Sequence, residues 1–171
     1  MIWDKLGGLA VAGAVLIHGI PAGLAEERMQ LGAPLAAAEF QTQVGDRVFF
    51  SEGSAELGAR ARVALEAQAA WLKRNRALAV TIEGHAHDAG ATDHNLEVSW
   101  RRADAVRRRL IESGVAPERI RTAAYGRERP IAECGEAWCA AQNRRAVTVV
   151  HAPAAGELQD AAARRSARRL Y

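Results

Sequence analysis

Five side chains that carry lone pairs or charge crowd a ten-residue window: His85, His87, Asp88, Asp93 and His94. Imidazoles and carboxylates are the donor set of zinc hydrolases, in which the metal activates a water and a nearby acid orients it. A metal-binding His/Asp loop is therefore one reading of the window. Such enzymes draw ligands from several parts of the chain, and beyond the loop only His151 is available. The other reading leaves these residues as loop and surface groups with no metal, no cofactor and no catalytic role. Asn95 and Arg102 follow, seven positions apart, so on a helix they sit two turns above one another and face the loop side together. A guanidinium fork can give two parallel hydrogen bonds to a carboxylate. No Ser-His-Asp or Cys-His grouping has a supporting context, which leaves nucleophilic catalysis without residues.

The elements that must position these groups can be read from spacing. Leu78 to Glu83 is an apolar, β-branched run that ends at Gly84 and predicts a strand. A helix is expected from near Asn95, with Leu96, Ser99, Ala103, Val106 and Leu110 on its inner face. Glu97 with Arg101 and Asp104 with Arg108 form acid-before-base pairs on its outer side. It should stop at Ser113-Gly114. Upstream, Val44 to Phe50 holds the triplet Val48-Phe49-Phe50 and predicts a strand. After the turn Ser51-Glu52-Gly53-Ser54, a helix capped by Ser54 should run to near Asn75, burying Leu57, Ala61, Ala64, Leu65 and Leu72. Downstream, Ile120 to Tyr125 and Arg145 to His151 read as strands, separated by a long loop or short helix over Arg127 to Gln142. The order β-α-β-α-β-β predicts an α/β fold, with helices packed on one face of a small mixed four-stranded sheet. Crossover helices imply parallel pairing among the early strands. Neither an internal repeat nor a phosphate-cradling glycine loop is present.

The residues Ile82-Glu83-Gly84-His85-Ala86, the Asp88 and Gly90 region, Asn95, Ser99, Arg101-Arg102-Ala103, Gly114-Val115, Arg119-Ile120, Tyr125-Gly126, Pro130 and Asn143-Arg144-Arg145-Ala146-Val147 carry a resemblance. From about Val44 to His151 the chain resembles the OmpA-like peptidoglycan-binding domain of peptidoglycan-associated lipoproteins and outer-membrane proteins. The resemblance implies a two-layer α/β sandwich and non-enzymatic, noncovalent binding of the peptide stem of peptidoglycan, through the free end of diaminopimelate. That end carries an ammonium and a carboxylate on one carbon, so its site needs an acid and a base. Arg102 matches the family's carboxylate-binding arginine and Asn95 its loop-bracing asparagine. The ligand-binding set it implies is Phe50, Ser51, His85, His87, Asp88, Asn95, Arg102 and Arg144. The chain departs from the family at the acid: the aspartate position falls on His87, and Asp88 comes one place later. A histidine cannot supply a permanent negative charge. Asp88 must turn in to replace it, or the wall is bound weakly. A fold-retaining scaffold that serves a protein partner is the alternative.

With 171 residues, 49% hydrophobic content and 25% charge, the chain suits one globular domain with extensions. A net charge of +3 and a pI near 9.3 come from arginine clusters, without zinc fingers or aromatic strands that would read nucleic acid. Residues 1–25 read as a signal peptide: Lys5, an apolar stretch from Leu6 to Ile20, then Gly23-Leu24-Ala25 at the cleavage site. An uncleaved inner-membrane anchor is the rival reading, although the stretch is short against the roughly 20 residues of a span. No cysteine stands near that site, so the family's lipid anchor is not expected. Residues 26–43 are expected to form a linker or an added N-terminal strand, followed by the domain at 44–151. Cys134 and Cys139 would pair in a periplasm or cell envelope, and two free thiols or half of a metal site are the alternative. The Ala/Arg-rich tail, 152–171, reads as a frayed or disordered extension or as a contact for anionic lipid or wall polymer.

Overall fold

A computed structural model describes residues 22–153, with side chains described from Gly32 onward. Of the expected signal peptide, 1–25, residues 1–21 lie outside the described residues, as does the tail beyond Pro153. In order, the elements are α1 (Ala22–Gln43), β1 (Arg47–Phe49), α2 (Ala59–Arg74), β2 (Ala79–Gly84), α3 (Thr92–Glu112), β3 (Ile120–Ala124), α4 (Ala137–Asn143) and β4 (Arg145–His151).

The sheet order is β1-β4-β2-β3. Strand β2 pairs parallel with β3, across the α3 crossover, and antiparallel with β4, which is also antiparallel to β1. The expected parallel contact between the first two strands is absent because β4 lies between them. Both still run the same way, so the α2 crossover is preserved and its gap is filled by the chain's last strand. Burial alternates as a two-layer fold requires: Val80, Ile82, Ala146, Thr148 and Val150 are covered, while Val149 on the opposite face is exposed. Leu65, Leu72, Ala103, Val106 and Leu110 supply the helical side of this core. Gln68, fully buried, donates to the Gly45 carbonyl at 2.8 Å and accepts from the Thr148 hydroxyl at 2.8 Å, so its amide is satisfied on both ends. Arg119 donates to the Leu72, Asn75 and Leu78 carbonyls at 3.0, 2.9 and 2.7 Å. It thereby caps the C-terminal end of α2, where carbonyls lack helical partners.

Several expectations are corrected. Residues 26–43 are neither linker nor strand but lie within α1. Ala33 and Phe40 are buried, Ala36, Ala37 and Val44 partly so, and this spacing is a helical stripe. Phe40 meets Trp71 edge-on at 5.0 Å. That packing holds the helix through Pro34, whose missing N–H and ring would cost an isolated helix about 3 kcal/mol. Ser54 does not cap α2, which starts at Ala59 after Gly58. Its carbonyl is drawn to Arg102 and its hydroxyl accepts from the Glu56 N–H, and residues 54–58 stay outside the helix. On α3, Leu96 is exposed and Val98 is buried. The inner face is Asn95, Val98, Ser99, Arg102, Ala103, Val106 and Leu110, so Asn95 and Arg102 join the expected Ser99 as three polar residues inside it.

Candidate functional site

The loop after β2 is set by a close approach of backbones. A Cβ on Gly84 would run into the Ser99 carbonyl of α3, so only glycine lets the helix lie on the strand end at this depth. Ser99 in turn donates to the Leu96 carbonyl and accepts the Gly126 N–H at 3.0 Å. The Ala86 N–H donates to the Gly126 carbonyl at 2.8 Å. The loop from His85 to Gly90 is thereby tied to α3 on one side and to the turn after β3 on the other.

Arg102 is the centre of the site and is fully buried. Its Nε donates to the Ser54 carbonyl at 2.9 Å, Nη1 to the His85 carbonyl at 3.1 Å and to Asp88 Oδ2 at 2.7 Å, and Nη2 to the Ser51 carbonyl at 3.0 Å and to Asp88 Oδ1 at 3.1 Å. A guanidinium has five N–H donors, and all five have acceptors. Its carbon sits 5.4 Å from the centre of the Phe50 ring. Asp88 also accepts the Gly53 N–H. Burial alone would push this carboxyl up, but the Arg102 hydrogen bonds, the Gly53 N–H and the guanidinium charge together hold it below the usual carboxylate value. Asp88 is therefore an anion paired inside the protein. Asn95 holds it there: its Oδ1 accepts the Asp88 N–H at 2.9 Å, and its Nδ2 donates to the carbonyls of Asp88 at 3.2 Å and Ala91 at 3.1 Å.

His87 has another partner. The Asn143 amide accepts the Ile131 and Ala132 N–H groups on its oxygen and donates from nitrogen to the Ala132 carbonyl. That orientation makes the 3.0 Å contact to His87 Nδ1 a donation from Asn143, so a neutral His87 carries its proton on Nε2. The ring braces the loop before β4, and the acid is supplied by Asp88 alone.

His85 is buried and neither ring nitrogen has a hydrogen-bond partner. The ring stacks on Tyr125 at 5.5 Å, and Arg129 lies over the Tyr125 ring at 3.7 Å and 3.6 Å from Glu83. Burial, with the positive charges of Arg145 and Arg129, lowers the imidazole from its ordinary value of 6.5 to about 4, so it is neutral at physiological pH. Arg144 joins the rim through its backbone, its carbonyl accepting the Phe50 N–H at 2.9 Å.

Seven of the eight expected site residues thus surround one point directly or through one neighbour: Phe50, Ser51, His85, His87, Asp88, Asn95 and Arg102. Arg144 stands at their edge. Gly53, Ser54, Asn143 and Tyr125 belong to the same construction and were not among them. Asn143 could have been read from the Asn-Arg-Arg motif, and Gly53 from a Glu-Gly turn, which the structure holds at φ +65. Asp93 and His94 stay outside it. Among the described residues no group of three or more His, Cys, Asp or Glu side chains could hold a metal ion, so the metal reading of the loop has no ligand set.

Residues 49–144, from the end of β1 to the start of β4, match the OmpA family. The chain belongs to that family. It is 42% identical over 145 residues to the peptidoglycan-associated lipoprotein of Brucella melitensis, covering 84% of this chain and 86% of that one. It is 44% identical over 117 residues to that of Agrobacterium fabrum, covering 68% and 66% respectively. The OmpA-family fold is also seen in solved structures. The peptidoglycan-associated lipoprotein from Burkholderia pseudomallei superposes with a TM-score of 0.62 at 28% identity, over 65% of this chain and 96% of that one. The C-terminal domain of Helicobacter pylori MotB shares the fold, with a TM-score of 0.58 at 21% identity over 67% and 91%.

Proposed function

We propose that this OmpA-family protein binds cell-wall peptidoglycan noncovalently and without enzymatic activity, in the periplasm or cell envelope. The observation that carries the reading is the buried Asp88–Arg102 pair at the loop of the family domain. A zwitterionic amino-acid end, such as that of diaminopimelate, is the complement of such a pair. Three of the five Arg102 donors go to carbonyls that the backbone fixes, whereas the two facing Asp88 form a fork that a ligand carboxylate can take over. Asp88 released from that fork meets the ligand ammonium. One internal ion pair is exchanged for two, which avoids leaving either buried charge alone.

The expected signal peptide, outer-membrane association, other envelope partners and lipid contacts of the tail belong to this reading as proposals. The joined sulfurs of Cys134 and Cys139, whose Cα atoms lie 5.9 Å apart, support an oxidising compartment. No described helix is long and apolar enough to cross a membrane.

Retention on purified sacculi tests the reading. The native chain should co-sediment, Asp88→Asn should reduce retention at least several-fold, and a circular dichroism spectrum should show that the variant is folded. Equal retention of native and Asp88→Asn protein would remove the loop from wall recognition and favour the scaffold alternative.

A further inference from the structure

Strand β1 ends the sheet order, so its second edge has no strand beside it among the described residues. The Phe50 N–H donates to the Arg144 carbonyl at 2.9 Å and the Thr148 N–H to the Asp46 carbonyl at 2.6 Å, which turns the backbone groups of the even-numbered residues toward β4. By the alternation of an antiparallel pair, the N–H and C=O groups of Arg47 and Phe49 point out of the sheet. A groove of about 370 Å³ opens beside β1, between it and the first turns of α2. Val48, Ala61 and Ala64 line it with apolar side chains, and the exposed Arg47 and Arg60 line it with charge. Arg47 gives Nε and Nη2 to Asp46, whereas Arg60 has no ion-pair partner among the described residues. Gly58 offers α2 no side-chain cap, and the first turn holds Arg60 and Arg62 and no acid. That is the reverse of what the helix dipole favours, and a carboxylate brought from outside would correct it.

We propose that this edge docks an extended, acidic segment of a partner protein, added antiparallel to β1 as a new outer strand. The inference goes beyond the wall-binding reading and does not rest on it. Incoming residues directly opposite Arg47 and Phe49 exchange both backbone hydrogen bonds with them and carry their side chains on the outer face of the sheet, where an acid meets Arg47. The residues between them point inward, beside Val48 and toward Ala61 and Ala64, and the small side chains there leave room for apolar groups. The backbone bonds thus supply affinity, and the alternation of acid and apolar side chains supplies the selection. A second copy is the wrong occupant. In a two-fold contact Arg47 and Arg60 would meet their own images, and a charge on an edge strand is what keeps it from pairing with a like edge. The same charges favour a strand that carries carboxylates.

The probes are blocked heptapeptides that alternate valine with glutamate, or valine with lysine, titrated into the full chain and followed by the amide chemical shifts of Arg47, Phe49, Ala61 and Ala64. The glutamate peptide should move those amides and bind about tenfold more tightly than the lysine peptide. Methylating its glutamate nitrogens, which face β1 in the antiparallel register, should remove binding, whereas methylating its valine nitrogens, which face away, should weaken it less than about threefold. Arg60→Glu should weaken the glutamate peptide about tenfold while the chain stays folded, because the change puts an acid in the first turn of α2, where the dipole favours one. The proposal is overturned by a glutamate peptide that does not bind, by a lysine peptide that binds as well, by a glutamate-methylated peptide that binds no worse than the valine-methylated one, or by affinity that is unchanged in Arg60→Glu. Shifts at Arg47 and Phe49 that depend on protein concentration without any peptide assign the edge to a second copy and overturn it too.

Discussion

Arg102 and Asp88 show how a charged pair can be both structure and function. With no exposed surface, the guanidinium joins the turn after β1, the loop after β2 and α3 through five bonds, so it fastens three segments of distant sequence. Removing it leaves Asp88 buried with the Gly53 N–H as its main compensation. Breaking one side of such a pair costs about 3–5 kcal/mol. Urea denaturation of Arg102→Ala should show that loss. Arg102→Lys keeps the charge but has only three donors for five acceptors, and should still lose about 2 kcal/mol. If Arg102→Lys matched the native midpoint, the carbonyl contacts would be worth little and the residue's role would reduce to charge. A lysine also cannot offer the two-pronged fork, so wall retention should fall in Arg102→Lys more than its stability does.

At the scale of elements, two segments outside the strand-helix framework hold the site in place. Helix α1 covers the core beside α2 through Ala33 and Phe40, the latter on Trp71. Phe40→Ala should cost about 3–5 kcal/mol, the usual loss for a buried phenylalanine, read as a lowered denaturation midpoint. An effect below 1 kcal/mol would mean that α1 is an appendage to the fold. The α4 segment depends on its bridge. Closing so short a loop contributes about 2 kcal/mol in the chain-entropy account. Replacing both cysteines by serine should lower stability by no more than that, because β4 and its ladder do not need the loop. The same replacement should increase hydrogen exchange at the Ile131 and Ala132 N–H groups, which the Asn143 side chain accepts. Unchanged exchange there would mean that Asn143 holds the loop without help from the bridge.

Over the whole molecule, the parts that were legible in the sequence are those where a period or a motif reports directly on packing. Strands β2 and β4, α3 with its stop at Gly114, and the convergence of Asn95, Asp88 and Arg102 belong to this class. Helix α1 was obscured because Pro34 and Gly32 argue locally against a helix, and only the Ala33, Ala36, Ala37, Phe40 stripe argues for one. The place of β4 between β1 and β2 was hidden because strand order is decided by long-range pairing that no local signal encodes. At the site, the choice between His87 and Asp88 as the acid depended on the Gly53 N–H and the Asn143 amide, which come from far along the chain.

The buried groups of the site also set how the molecule responds to acid. Native His85 stays neutral until about pH 4, whereas in the unfolded chain it takes up a proton near its ordinary 6.5. Protons therefore favour the unfolded state between those values, and stability should fall as pH drops from about 6.5 to about 4, then level off for this group. Allowing for relaxation and water penetration, the loss is about 1–3 kcal/mol. Asp88 acts in a lower window. Its native value lies below the ordinary 3.8, so its contribution is complete above that value and disappears as pH falls through the native one. Urea midpoints measured from pH 7.5 to 3 should thus decline in two stages. His85→Gln should flatten the first stage and leave the second, whereas Asp88→Asn should weaken the second and leave the first. A first stage that persists unchanged in His85→Gln would assign it to another group and show that the stacked imidazole, with Glu83 Oε2 3.9 Å from its Nε2, does not govern the mild-acid response.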